Sequence, residues 1–150
     1  MTVTKNDYML TWVSLVLAGS HMPAKLGQHM QVQLGISLAE QELLKHLMLG
    51  GGQQKLGDLA QHLGRSKAGI TKMMDRLQKA GFVKRVPSKT DRRVIMARLT
   101  KRGATVLTAS FELVGPWVEK NLRQHLDDNK LLALKDALQT LIEAHNRWES

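Results

Sequence analysis

The chain has 150 residues, 43% hydrophobic and 23% charged, enough for one compact domain with a buried core. It contains no cysteine, which excludes disulfides, zinc–thiolate sites and thiol-based redox sensing. The formal net charge of +9 is unevenly placed: Lys55–Gly103 holds 14 Lys and Arg against three acids, a balance of +11, while the rest holds eight against ten, or −2.

Charge concentrated in a third of the chain marks a polyanion-binding segment flanked by neutral scaffold, since a basic surface kept for solubility would be spread evenly. Aromatic residues make up 4%, and within the basic segment there is only Phe82. A platform that stacks single-stranded bases is therefore disfavoured, and double-stranded DNA is the expected partner. No stretch approaches the roughly 18 consecutive apolar residues of a membrane span. The opening MTVTKNDYML lacks the basic n-region and cleavage site of a signal peptide. A cytoplasmic protein without membrane contact is expected.

In chain order, Tyr8, Trp12, Leu15, Val16, Met22, Leu26 and Met30 recur at helical spacing from Asp7 to about Gln33. Pro23 is expected to kink or interrupt this helix, because proline removes a backbone donor and crowds the preceding turn. Gly35 ends it. Ser37 and Glu40 then form an S-x-x-E capping box. The helix they open carries Leu43, Leu44, Leu47 and Met48 up to Gly50–Gly52. That triple glycine has no following Gly-Lys-Ser/Thr and is read as a helix–helix connection rather than a phosphate cradle.

Leu56, Leu59, Ala60 and Leu63 give a short helix its apolar face before Gly64, and Ser66 caps a second helix that runs through Ala80 to Gly81. Two β-rich runs follow, residues 82–87 and 94–99, joined by the polar stretch Ser88–Arg93. The chain then returns to helix, with Thr100 as cap and an apolar series Val106, Leu107, Phe111, Val114, Trp117 and Val118. Pro116 is expected to bend it. A last helix opens near Asp127–Asp128 and carries Leu131, Leu132, Leu134, Leu138, Leu141, Ile142 and Trp148. That is more apolar surface than a lone terminal helix buries, so a partner helix, from this chain or a second copy, is implied.

Helix, turn, helix and hairpin is the order of a winged helix-turn-helix, so the expected fold class is mainly α with a small β-hairpin wing and helical arms, which the family resemblance given below makes dimerisation arms. The winged region spans 37–99, and 7–34 with 100–148 form the arms. At about 100° per residue, Ile70, Met73, Met74 and Leu77 share the core side of the second helix. Ala68, Lys72, Asp75 and Lys79 face away, with Thr71 and Arg76 on the flanks. Ser66 and Lys67 stand at the helix N-terminus, where backbone amides favour a phosphate. Lys72 and Arg76 are placed to read guanine edges in the major groove, and Asp75 to orient a neighbouring cation. At the hairpin tip, Lys89, Arg92 and Arg93 offer charge to the backbone and minor groove. Asp91 is expected to brace the tip by holding one arginine or a loop amide, with Arg93 favoured as the groove-facing residue.

The run SKAGITKMMDRLQKAGFVKR (66–85), followed by Asp91-Arg92-Arg93 and then Arg98-Leu99-Thr100-Lys101-Arg102-Gly103, resembles the MarR family of bacterial regulators. Asp91, Arg93, Leu99, Thr100 and Gly103 match the family's wing pattern, D-x-R followed by L-T-x-x-G. The matching motifs cover about residues 56–103. The resemblance implies a homodimer on a palindromic duplex, its terminal helices paired across the two-fold axis and a winged domain on each half-site. It also implies repression relieved by a small molecule, often aromatic or phenolic. Departures are Arg65 at a turn position more often apolar, Gly69 near the start of the second helix, and Pro23 within the long first helix.

No G-x-S-x-G, HExxH, Walker loop or nucleophile–base pair is present, so neither an enzyme nor a cofactor is expected. The effector-binding residues are unassigned; Trp12, Met22, Met30 and Met48 are candidates for a pocket as well as for plain core. Histidines 21, 29, 46, 62, 125 and 145 form no H-x₃-H pair, although His21 with His29 or His125 with His145 could meet in a dimer. The alternatives are an architectural DNA-coating protein and a metal-responsive winged-helix repressor.

Overall fold

The computed structural model describes residues 2–91 and 93–146; Arg92 and Trp148, both singled out above, lie outside the described residues. The elements run α1 (Lys5–Leu34), α2 (Leu38–Leu49), β1 (Gln53–Lys55), α3 (Leu56–His62), α4 (Lys67–Lys79), β2 (Val83–Pro87), β3 (Ile95–Leu99), α5 (Lys101–Arg123) and α6 (Asp128–Asn146). The chain forms two compact units, Met1–Leu113 and Val114–Ser150.

In the first unit, α1 begins earlier than the apolar spacing indicates, because Thr4 and Asp7 make a capping box. The Thr4 hydroxyl and amide both donate to Asp7 and hold its carboxyl below the usual carboxylate range. Contrary to the expected interruption, α1 passes through Pro23 as one helix and ends at Gly35 in the left-handed conformation. One missing donor is a local defect, and the turns on both sides of it continue to pair. The α1 end is anchored in the core by Leu26 and Met30. Its first four turns are exposed and carry a broad apolar face, with Tyr8, Met9, Leu10, Trp12, Val13, Leu15, Val16 and Leu17 open to solvent.

The α2 capping box forms as its sequence indicates: Ser37 Oγ accepts from the Glu40 amide at 3.3 Å, and Glu40 Oε2 accepts from the Ser37 amide at 2.8 Å. Beyond α2 the triple glycine departs from the expected helix–helix link. Gly51 and Gly52 adopt φ of 74° and 87°, a region costly for residues with a Cβ, and turn the chain into a short strand. The wing is thus a three-stranded antiparallel sheet in the order β1-β3-β2. Gln53 pairs with Arg98 and Lys55 with Met96 on one side of β3; Val83 pairs with Leu99 and Pro87 with Ile95 on the other. The core of this unit is built from Leu43, Leu44 and Leu47 of α2, Leu59 of α3, Ile70, Met74 and Leu77 of α4, Val83 and Ala97 of the sheet, and Leu107 of α5.

The junction between sheet and α5 is tight. The Thr100 hydroxyl caps α5 by accepting from the Gly103 amide at 3.0 Å, and it lies 2.7 Å from the Gly81 carbonyl oxygen, to which it donates. Gly103 is buried against the Phe82 carbonyl, and a Cβ there would also meet Leu99 Cδ1 at 2.8 Å. The second unit holds the rest of α5, continuous through Pro116, and α6, whose first turn is capped by Asp127 accepting from the Lys130 amide at 2.9 Å. Leu132, Leu134, Leu141 and Ile142 of α6 are exposed.

Candidate nucleic-acid interface

The α4 helix is amphipathic as its spacing indicates. Ile70, Met74 and Leu77 are buried, while Lys67, Ala68, Thr71, Lys72, Asp75, Arg76 and Lys79 are exposed. Ser66 Oγ accepts from the Gly69 amide at 3.1 Å and closes one of the free N–H groups of the first turn. Gly69 stands where a Cβ would come within 3.3 Å of that hydroxyl, so the small residue leaves the cap unstrained. The remaining amides of the first turn and Lys67 give this end a positive potential suited to a phosphate.

Two acids organise the cations of α4. Asp75 is indeed a cation holder: its Oδ1 lies 2.7 Å from Arg85 Nη2. Arg85 also donates to the Thr71 carbonyl at 3.3 Å and to Gln78 Oε1 at 3.1 Å, strapping β2 along α4. Arg85 was not singled out from the sequence, although a strand arginine following a helix that exposes one aspartate, Asp75, was a usable signal. The other acid is Glu40 of α2, only 3% exposed. Its Oε1 sits 2.9 Å from Arg76 Nε, and its Oε2 accepts from Arg76 Nη2 at 3.0 Å. Arg76 is therefore already held by α2. Lys67, Lys72 and Lys79, among the described residues, take part in no ion pair.

The wing tip is a folded turn. The Ser88 amide donates to the Val94 carbonyl at 2.8 Å, and the Val94 amide donates to the Asp91 carbonyl at 3.0 Å. Asp91 Oδ1 accepts from the Arg93 amide at 2.9 Å and lies 3.4 Å from Arg93 Nε. Asp91 thus braces the backbone of the tip and touches Arg93, whose side chain is nonetheless 93% exposed. Lys89 is exposed on the same turn. A cleft of about 390 Å³ lies between the starts of α3 and α4 and the tip-side end of β3, with Lys55, Asp58, Lys67, Thr71 and Ile95 among its lining.

Other sequence candidates separate. Met30 is buried in the core, Met48 is 41% exposed and Trp12 62% exposed. The rings of His46 and His62, a pair not anticipated, stack with centroids 5.9 Å apart. Among the described residues, no three His, Asp or Glu side chains converge as a metal site requires.

Residues 37–95 match the sequence model of the MarR family. The chain is 33% identical over 81 residues to an uncharacterized HTH-type transcriptional regulator, YfiV, of Bacillus subtilis, a match covering 54% of this chain and 50% of the relative. It is 30% identical over 73 residues to the multiple antibiotic resistance protein MarR of Escherichia coli, covering 49% of this chain and 51% of that one. In both cases the match spans about half the relative's own length. The fold superposes on that of Sco3205, a MarR family transcriptional regulator from Streptomyces coelicolor solved in complex with DNA. The TM-score is 0.77 at 21% identity, over 96% of this chain and 90% of the other.

Proposed function

We propose, from the premise that this chain belongs to the MarR family, that it is a transcription regulator reading double-stranded DNA with α4 in the major groove and the wing at the minor groove. The observation that carries this reading is the pairing of two cationic, braced elements within the +11 segment. These are an α4 face whose lysines take part in no ion pair among the described residues, and a wing tip that Asp91 holds in shape while leaving Arg93 open. Ser66, Lys67 and the first turn take a phosphate, Ala68, Thr71 and Lys72 meet base edges, and Lys89 and Arg93, with Arg92 beside them, engage the backbone and minor groove.

The working unit in this reading is a homodimer on a palindromic operator, acting as a repressor released by an aromatic or phenolic compound. Support for the dimer comes from the apolar residues exposed on α1 and α6, since so broad an exposed apolar surface is one that is covered in the working molecule. Support for a cytoplasmic setting comes from the DNA partner and from the absence, among the described residues, of a helix long and apolar enough to cross a membrane.

The test is selection of bound genomic fragments followed by titration of the preferred fragment and a random duplex at several salt concentrations. A regulator prefers its own site by about a thousandfold or more. Equal affinity for both duplexes would replace this reading with an architectural one. Binding that follows added or chelated metal would point to a metal-responsive repressor.

A further inference from the structure

We propose that Arg76 is a positioning residue, locked by Glu40 so that the α4 helix is held in the orientation that discriminates between DNA sequences. The inference rests on α4 being the DNA-reading helix. Four donors converge on the Glu40 carboxylate: Arg76 Nε at 2.9 Å, Arg76 Nη2 at 3.0 Å, the Ser37 amide at 2.8 Å and the Ser37 hydroxyl at 3.0 Å. Arg76 Nη2 also lies 3.4 Å from Gln31 Oε1 in the last turn of α1. One guanidinium therefore ties the end of α1, the start of α2 and the middle of α4 into a single polar joint.

Energetics decide which role the guanidinium takes. Drawing Arg76 out to a guanine edge would strip a buried carboxylate of the one cation it meets among the described residues, and that loss exceeds what one bidentate base contact returns. A forked arginine–carboxylate pair also fixes direction as well as distance, which a lysine at the same position would not do. Lys72, one turn earlier, takes part in no ion pair among the described residues and is an α4 cation free to meet base edges. Loosening the joint would leave the phosphate-binding cations in place while blurring the register of α4 on the bases. Discrimination suffers; non-specific attraction does not.

The experiment compares the full chain with Glu40→Gln, Arg76→Gln, Arg76→Lys, the Glu40→Gln/Arg76→Gln double variant and Ser37→Ala, on the preferred and a random duplex across salt. Glu40→Gln and both Arg76 variants are expected to lower affinity for the preferred duplex by about tenfold, leaving random-duplex affinity and salt slope unchanged. The double variant should be no worse than the weaker single one. Ser37→Ala, which removes the helix cap but keeps the pair, should retain discrimination. If Arg76→Gln instead flattens the salt slope by about one unit while Glu40→Gln changes nothing, Arg76 touches DNA itself and the proposal falls. Equal loss in Ser37→Ala would assign the effect to the cap and overturn it as well. If the unaltered chain shows no preference between duplexes, it is the DNA-reading function that fails. The joint is then judged in the free protein by amide exchange over residues 67–79, which should quicken in Glu40→Gln and Arg76→Gln; unchanged exchange refutes it.

Discussion

Replacing Gly103 with alanine tests the architecture at the root of the wing. An added methyl at this position runs into the Phe82 backbone carbonyl and comes within 2.8 Å of Leu99 Cδ1. Forcing a methyl into such a site costs about 1–3 kcal/mol. The obstacle is backbone and cannot swing aside as a flexible side chain would. The same Phe82 carbonyl accepts from the Thr100 amide at 3.1 Å, so moving it weakens a bond worth about 1 kcal/mol. Against this, alanine returns at most about 1 kcal/mol of helix propensity. The balance is a loss of about 2 kcal/mol, which lowers the Tm of a chain this size by about 4–8 °C at fixed protein concentration. Gly27, inside α1, supplies the control. There a Cβ meets Leu38 Cδ1 at an ordinary 3.8 Å, so Gly27→Ala should stabilise by about 1 kcal/mol. Thermal and urea unfolding followed by circular dichroism read both. Shifts of the same sign for the two alanines, or an unchanged Tm in Gly103→Ala, would refute the close-approach argument.

Three further outcomes are expected. Ser66→Ala removes the cap of α4 and should cost about 1 kcal/mol, with faster amide exchange confined to the first turn of that helix; uniform exchange across α4 would contradict a local cap. Arg93→Ala should weaken DNA binding and reduce its salt slope by about one unit, as measured by anisotropy titrations, and an unchanged slope would return the wing tip to a solvated loop. Deleting the chain from Asp128 onward removes α6 and should abolish the homodimer in sedimentation; a truncated chain that still dimerises would refute pairing through the arms.

Several features of this protein are written in stretches of four residues or in a single helical period, and these the sequence determines by itself. Ser37 with Glu40, Ser66 with Gly69 and Thr100 with Gly103 each satisfy a helix start through a partner three positions away, so composition and spacing suffice to place them. Thr4 with Asp7 obeys the same rule and was readable by the same signal. The apolar stripe of α4, the hairpin after it, the braced turn at Asp91 and the crowding of cations into 55–103 are legible for the same reason.

Other features depend on what lies alongside in space. Gln53-Gln54-Lys55 has no strand character of its own; it becomes β1 because Gly51 and Gly52 turn the chain back and β3 presents an open edge, with the Leu99 amide donating to the Gly52 carbonyl. Pro23 reads locally as a breaker, yet α1 continues on either side of it. Charge pairing is the sharpest case. Spacing on α4 assigns Arg76 to DNA as readily as Lys72, because helical period fixes only the direction in which a side chain leaves its helix. The buried carboxylate that holds Arg76 comes from a position 36 residues away, and Arg85 reaches Asp75 from the neighbouring strand. A cation's partner is set by distance and desolvation, and only tertiary packing decides both.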